Sequence, residues 1–272
     1  MRAARARTIV AVVLAALAAS ALASTAMAAP ASAAATGRPP AVATNAVHAG
    51  LRGGRAQVSL PGAPTPRTAW VAHILMPTPG LLAPGRGRVR TTIAPEARWD
   101  GGPVALLVLD ARVGANGTAW LRVLLPQRPN GVSAWIDADF VELTRTPWQI
   151  EISLKRRTVS LLRDGQIANS WLAVIGKPST PTPRGLYAVY ERVRQPDPNA
   201  FLGSWALLLT AFSPVLDNFD GGPGEVAIHG RGGTSLLDPL GTARSHGCIR
   251  IDNSAIDELA RDGAEGTPVQ IS

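Results

Sequence analysis

Cysteine is almost missing from this chain. One residue, Cys248, stands among 272. A single thiol excludes an internal disulfide, and with it a disulfide-stapled fold or a cysteine-rich zinc module. Lysine is nearly as scarce: only Lys155 and Lys177 occur, so the formal charge of +8 is carried by arginine. Aromatic residues make up 5%. Charged residues at 17% against 46% hydrophobic exclude a disordered chain. Beyond the N-terminus, no segment is long and apolar enough to read as a membrane span.

What is present begins with a leader. Arg2, Arg5 and Arg7 precede an uninterrupted apolar run from Ile9 to Ala19, and Ala26-Met27-Ala28 supplies a small-x-small exit. Basic, apolar and small-residue regions in that order read as a secretory signal over residues 1–28, with an uncleaved anchor as the competing reading. The rest is uneven in charge. Residues 29–147 hold 12 basic and 6 acidic side chains, whereas residues 148–272 hold 12 and 13. On an exported chain, a basic first half points to anionic envelope polymers and not to nucleic acid; a solvated basic face fits equally well.

Residues 29–66 are rich in Ala, Pro and Gly and read as a linker. From 67 to 145 short β-like runs are broken by Gly and Pro. Val104–Leu109 and Ala119–Leu125 are apolar, and turn signals stand at Asn116-Gly117 and Asn130-Gly131. This predicts a small all-β barrel, and the stretch Pro126 to Leu143 resembles the closing part of bacterial SH3-like domains.

From Trp148 the pattern changes. Gln149–Ser153 and Thr158–Leu162 flank Lys155-Arg156-Arg157 as a hairpin would. Asp164-Gly165 makes the next turn, and strands follow over Ile167–Ile175, Leu186–Val193, Trp205–Phe212, Val226–His229 and Val269–Ile271. Ser254–Arg261 alone reads as a clear helix, with Ser254 as N-cap and Gly263 past its end. The fold class is therefore mainly β with one or two short helices.

The chemistry concentrates in Ser245-His246-Gly247-Cys248-Ile249-Arg250 and in His229, which 15 residues separate from Ser245. A lone cysteine is more often a small buried hydrophobe than a nucleophile. Here the thiol is unpaired on a chain read as exported, lies near two of the four histidines, and sits among glycines that free the backbone to turn. A thiol needs a base to become a nucleophile at neutral pH; an imidazole held by a carbonyl can serve, and the Gly247 and Cys248 amides can face an oxyanion.

His229, the Ser245–Arg250 hexapeptide, and the Thr182-Pro183-Arg184-Gly185-Leu186-Tyr187 segment together resemble the L,D-transpeptidases with a YkuD-type catalytic domain, over about Trp148 to Ser272. The resemblance implies a β-sandwich catalytic domain at 148–272 and peptidoglycan stem peptides as partners. Cys248 would be the nucleophile, His229 the base, and His246 a second histidine shaping the pocket. The carbonyl of Gly230 would orient His229, Ser245 and Gly247 would shape the turn and oxyanion site, and Arg250 would hold the site or the substrate's carboxylate. For Ser245, His246 and Arg250 an ordinary packing role fits as well. The implied reaction is acyl transfer from a tetrapeptide stem to form a 3→3 cross-link. It needs no cofactor and is open to carbapenem acylation.

Three alternatives stand beside it: an L,D-carboxypeptidase with the same site, a zinc site built from His229, His246 and Cys248, and a wall-binding protein without activity. No His-Glu-x-x-His pattern supports zinc. The order His before Cys argues against papain-like peptidases. Gln195–Trp205, with two prolines and a glycine, is a candidate lid. His48 and His73 receive no role.

Overall fold

The computed structural model describes residues 60–272 except 86 and 220. The signal segment and most of the linker lie outside the described residues. The described residues fall within one compact unit. It is built on two large β-sheets and a small two-stranded one, and among the described residues one α-helix accompanies them.

The first sheet has seven antiparallel strands: β1 (Ala69–Ile74), β2 (Thr78–Leu81), β3 (Val89–Ile93), β4 (Ala105–Val113), β5 (Ala119–Leu124), β6 (Ser133–Asp137) and β7 (Val141–Thr146). They run in the order β3-β2-β6-β5-β4-β1-β7. The Gly of each predicted Asn-Gly turn has a positive φ, +82° at Gly117 and +81° at Gly131. That is a conformation glycine adopts without steric cost. Leu106, Val108, Leu121, Val123 and Ile136 are fully buried in this sheet's core. His73 lies on β1, and its Nε2 is 2.8 Å from the Thr144 hydroxyl on the neighbouring β7.

The second sheet contains β8 (Trp148–Ser153), β9 (Thr158–Arg163), β10 (Gln166–Leu172), β12 (Gly185–Arg194), β13 (Trp205–Phe212), β14 (Glu225–His229), β16 (Ile249–Arg250) and β17 (Pro268–Ile271). Two further short strands, β11 (Ile175–Gly176) and β15 (Ala243–Ser245), pair with each other in parallel. In the β9–β10 hairpin Asp164 and Gly165 both have positive φ, the signature of a type I′ turn. The order is β10-β9-β8-β17-β12-β13-β14-β16. The last strand in sequence thus lies in the middle of the sheet, parallel to β8 and antiparallel to β12. Ile150, Ile152, Leu161, Val189, Leu207, Leu209, Ile228 and Ile249 form its buried core. Each such side chain contributes roughly 1.5–3 kcal/mol when fully buried.

The helix α1 (Asn253–Asp262) starts one residue earlier than the sequence suggests, and Asp252, not Ser254, occupies the N-cap. The Asp252 carboxylate does not cap the backbone; it pairs with Arg231 at 3.1 Å. Ala255, Ile256, Leu259 and Ala260 form the buried stripe of the helix, and Gly263 closes it with an N–H to the Leu259 carbonyl.

The two sheets meet through a shared apolar patch. Ala69, Leu107 and Leu124 of the first touch Ala188 of the second, with Leu109 and Leu186 beside them.

Candidate active site

The site is assembled where β14 and β16 run parallel. Ile228 pairs with Ile249 and His229 with Arg250. Side chains alternate faces along a strand. Ile228 and Ile249 therefore enter the core, while His229, Arg250 and Cys248, one residue before β16, share the other face. His229 and Cys248 line the same cavity of about 50 Å³, together with His246, Arg250, Phe201 and Phe219. That holds only a few waters.

His229 is 1% exposed. Its Nδ1 is 2.8 Å from the Gly230 carbonyl oxygen. A carbonyl only accepts, so Nδ1 carries the hydrogen and Nε2 is the unprotonated nitrogen of the neutral ring. Burial pulls the imidazole pKa down to about 4; the Arg250 charge adds to this, and the Gly230 and Leu202 carbonyls oppose it. Burial pushes the Cys248 thiol above its ordinary value, with the Ala227 backbone and the Arg250 charge acting in the other direction. Both shifts disfavour charge, so the resting pair is a neutral thiol and a neutral imidazole.

The Cys248 turn is tied at several points. The buried Ser245 hydroxyl donates to the Cys248 carbonyl at 2.6 Å and accepts the Gly247 N–H at 3.2 Å. Gly247 has φ +125°. Its carbonyl accepts from the Thr182 hydroxyl at 2.8 Å, and Thr182 Oγ1 in turn accepts the Gly176 N–H at 2.9 Å. The Gly247 amide is thus engaged inside the turn. No acceptor among the described residues takes the Cys248 N–H. Of the two amides read from the sequence as facing an oxyanion, only that of Cys248 is free to do so.

His246 sits exposed on the rim, its ring 5.3 Å from that of Phe219. Its Nε2 lies 3.2 Å from Lys177 Nζ. An ammonium only donates, so Nε2 accepts. Desolvation, Lys177 and Arg250 lower its pKa, and Asp238 opposes them. The Arg250 side chain is 5% exposed and forms a 2.7 Å ion pair with Asp238. Its guanidinium lies 4.8 Å from the Phe201 ring centroid, and its Nε has no partner. Arg250 is therefore committed chiefly to Asp238. Among the described residues no group of three or more His, Cys, Asp or Glu side chains is placed to hold a metal ion.

Asn253, at the start of α1, was not legible as a site residue. Its Oδ1 accepts the N–H groups of Ser204 and Arg231, and its Nδ2 donates to the Pro198 carbonyl. It thereby fastens the 195–205 segment, which carries Phe201 and Leu202 into the cavity wall, to the end of the His229 strand. A Cβ on Gly230 would stand 2.2 Å from Asn253 Oδ1 and 3.0 Å from Gly203 Cα. Gly230→Ala is expected to displace this clamp and to lower stability by about 1–3 kcal/mol, the scale of overpacking. An unchanged urea midpoint would refute the close packing.

Residues 147–271 match the YkuD family, the L,D-transpeptidase catalytic domain. This segment is a YkuD-type L,D-transpeptidase catalytic domain. The YkuD proteins of Bacillus licheniformis and Bacillus subtilis carry the L,D-transpeptidase name. The first is 32% identical over 126 residues, which is 46% of this chain and 66% of the relative. The second is 26% identical over 168 residues, 62% of this chain and 85% of the relative. The chain thus spans about two thirds of the first relative's length. Among solved structures, the catalytic domain of an E. faecium L,D-transpeptidase aligns at 26% identity with a TM-score of 0.33, over 46% of this chain and 96% of that one. L,D-transpeptidase 3 of Mycobacterium tuberculosis aligns at 15% identity with a TM-score of 0.38, over 62% and 91%. The YkuD domain accounts for β8–β17 and α1, and so contains Cys248, His229, His246 and Arg250.

Proposed function

We propose that this protein is a peptidoglycan L,D-transpeptidase that works through a thioester on Cys248. The observation that carries this reading is the placement of Cys248 and His229 on one face of two adjacent parallel strands, converging on one cavity, with the His229 tautomer set by Gly230.

In the reading, His229 Nε2 takes the thiol proton as Cys248 Sγ attacks the carbonyl at the L-centre of the third residue of a tetrapeptide stem. The Cys248 N–H donates to the developing oxyanion. The tetrahedral adduct collapses, the C–N bond to D-Ala breaks, and His229 returns the proton to the leaving amine. A side-chain amine of a second stem then attacks the thioester. His229 takes its proton and passes it back to Sγ, leaving a 3→3 cross-link. Water in place of the amine would give a carboxypeptidase product. In this reading the Gln195–Trp205 segment, which carries Phe201 and Leu202 on the cavity wall, acts as a lid over the site.

The reading includes export through residues 1–28. It assigns the seven-stranded N-terminal sheet as an SH3-like module whose basic character suits anionic envelope polymers.

The test is to incubate the whole mature protein with tetrapeptide muropeptides and, separately, with a carbapenem. Dimers linked 3→3 and a covalent mass increase are expected. Tripeptide products alone would identify a carboxypeptidase. Neither product nor adduct would reject the enzyme reading.

A further inference from the structure

One wall of the cavity is not held by the catalytic domain alone. The loop 213–224 joins β13 to β14 and places Leu216 and Phe219 on the cavity. Within it, Ser213 and Gly224 are joined by one backbone hydrogen bond, the Ser213 hydroxyl accepts the N–H of Val215 and Leu216, and Phe219 pairs with Gly222. Its middle is largely solvent-exposed. A loop with so few internal ties among its described residues would open readily on its own.

The first sheet supplies the missing ties. Arg128 stands on the turn between β5 and β6. Its Nη1 donates to the Ser213 carbonyl at 2.8 Å, and its Nη2 donates to the carbonyls of Leu216 at 2.8 Å and Pro223 at 3.1 Å. One guanidinium thus spans both ends of the loop, and it also lies 5.1 Å from the Phe212 ring centroid. Asn130, two residues on, brackets the base of the loop. Its Nδ2 donates to the Phe212 carbonyl at 2.9 Å, and its Oδ1 accepts the Phe212 N–H at 2.8 Å. The fit leaves no slack. A Cβ on Gly224 would meet the Leu216 carbonyl oxygen at 2.1 Å and Arg128 Nη2 at 2.9 Å. Lysine offers one compact ammonium on a flexible stem and lacks this planar fork.

We infer that Arg128 and Asn130 are positioning residues for the YkuD domain. Through them the N-terminal sheet sets the shape of the cavity wall that carries Leu216 and Phe219, and so controls how a substrate seats against Cys248. The loop reaches the chemistry at two points: Phe219 packs against His246, and the loop ends at Glu225, whose carbonyl lies 4.0 Å from Cys248 Sγ. The catalytic consequence rests on the acyl-transfer reading; the rigidity of the loop does not.

The experiment uses the full mature chain and the variants Arg128→Ala, Arg128→Lys and Asn130→Ala. Amide hydrogen exchange is followed by mass spectrometry, and carbapenem acylation is measured across drug concentrations. Arg128→Ala is expected to speed exchange over 213–224 by about tenfold or more while the central strands keep their protection. Acylation is expected to weaken through the half-saturating concentration, with the limiting rate retained. Arg128→Lys recovers only part of either effect, and Asn130→Ala reproduces the exchange effect near Phe212. Unchanged exchange over 213–224 overturns the inference, as does a uniform increase across the whole second sheet or a loss confined to the limiting rate. A wild type that forms no carbapenem adduct would overturn the acyl-transfer reading, and the exchange measurement would still decide the clamp.

Discussion

Cys248→Ala is expected to form no carbapenem adduct and to lose at least about 10⁴-fold of its turnover of tetrapeptide donors, the scale on which removing a covalent nucleophile acts. No second thiol can substitute, because the chain has none. The same singularity makes the pH behaviour of Cys248 easy to read. Iodoacetamide reports one site, and the thiolate is the species that reacts. Burial holds the Cys248 pKa above its ordinary value. The alkylation rate should therefore climb through the alkaline range without levelling at neutral pH. A plateau between about pH 6 and 7 would show a preformed thiolate–imidazolium pair and would refute the neutral resting pair. On the proposed mechanism β-lactam acylation should still proceed at neutral pH, with neutral His229 removing the thiol proton during the attack itself.

Much of this architecture is legible along the chain, and the reasons are local. Asn-Gly and Asp-Gly announce their hairpins because their backbone conformation is stored in two residues. Val104–Leu109 announces a buried strand because its apolar run leaves no other fate. What depends on sequence-distant pairing is not legible. Nothing in Pro268–Ile271 says that it will lie between β8 and β12, since that position is a property of the whole sheet. The helix cap is illegible for a similar reason. Ser254 looks like a cap, but Asp252 is fixed in that position by Arg231, 21 residues before it.

The site divides in the same way. Cys248 and His229 stand out because each is a rare residue in a chemically pointed setting. The parts that hold them are common residues with distant partners: Thr182 on the Gly247 carbonyl, Asn253 across the 195–205 segment, Arg128 across the 213–224 loop. Their chemistry is hydrogen bonding to backbone carbonyls and amides, which leaves no pattern in the side chains around them. The free Cys248 amide follows from the same kind of contact. Ser245 takes up the Gly247 N–H, and this could be seen only once the turn had closed.

His229→Asn separates the base from the fold. An asparagine amide can still donate to the Gly230 carbonyl, but it cannot accept the thiol proton. Acylation at neutral pH is expected to fall by about 10²–10⁴-fold, the usual contribution of a positioned base. The deficit should narrow at alkaline pH, where the thiol ionises without help. An acylation rate equal to the wild type would remove His229 from the mechanism. The substitution also has a signature in stability. Folded His229 titrates near pH 4, whereas an unfolded histidine titrates near 6.5. Between these values the unfolded chain binds the extra proton, so this contribution is complete above pH 6.5 and is lost as the pH falls toward 4. The difference amounts to on the order of 3 kcal/mol. Urea unfolding should show the wild type weakening across that window, and His229→Asn should weaken less there, because its side chain takes up no proton. Equal slopes in the two proteins would mean that the imidazole is not held neutral by burial. A shallower slope together with slow acylation would show that one imidazole is both the buried neutral group and the base.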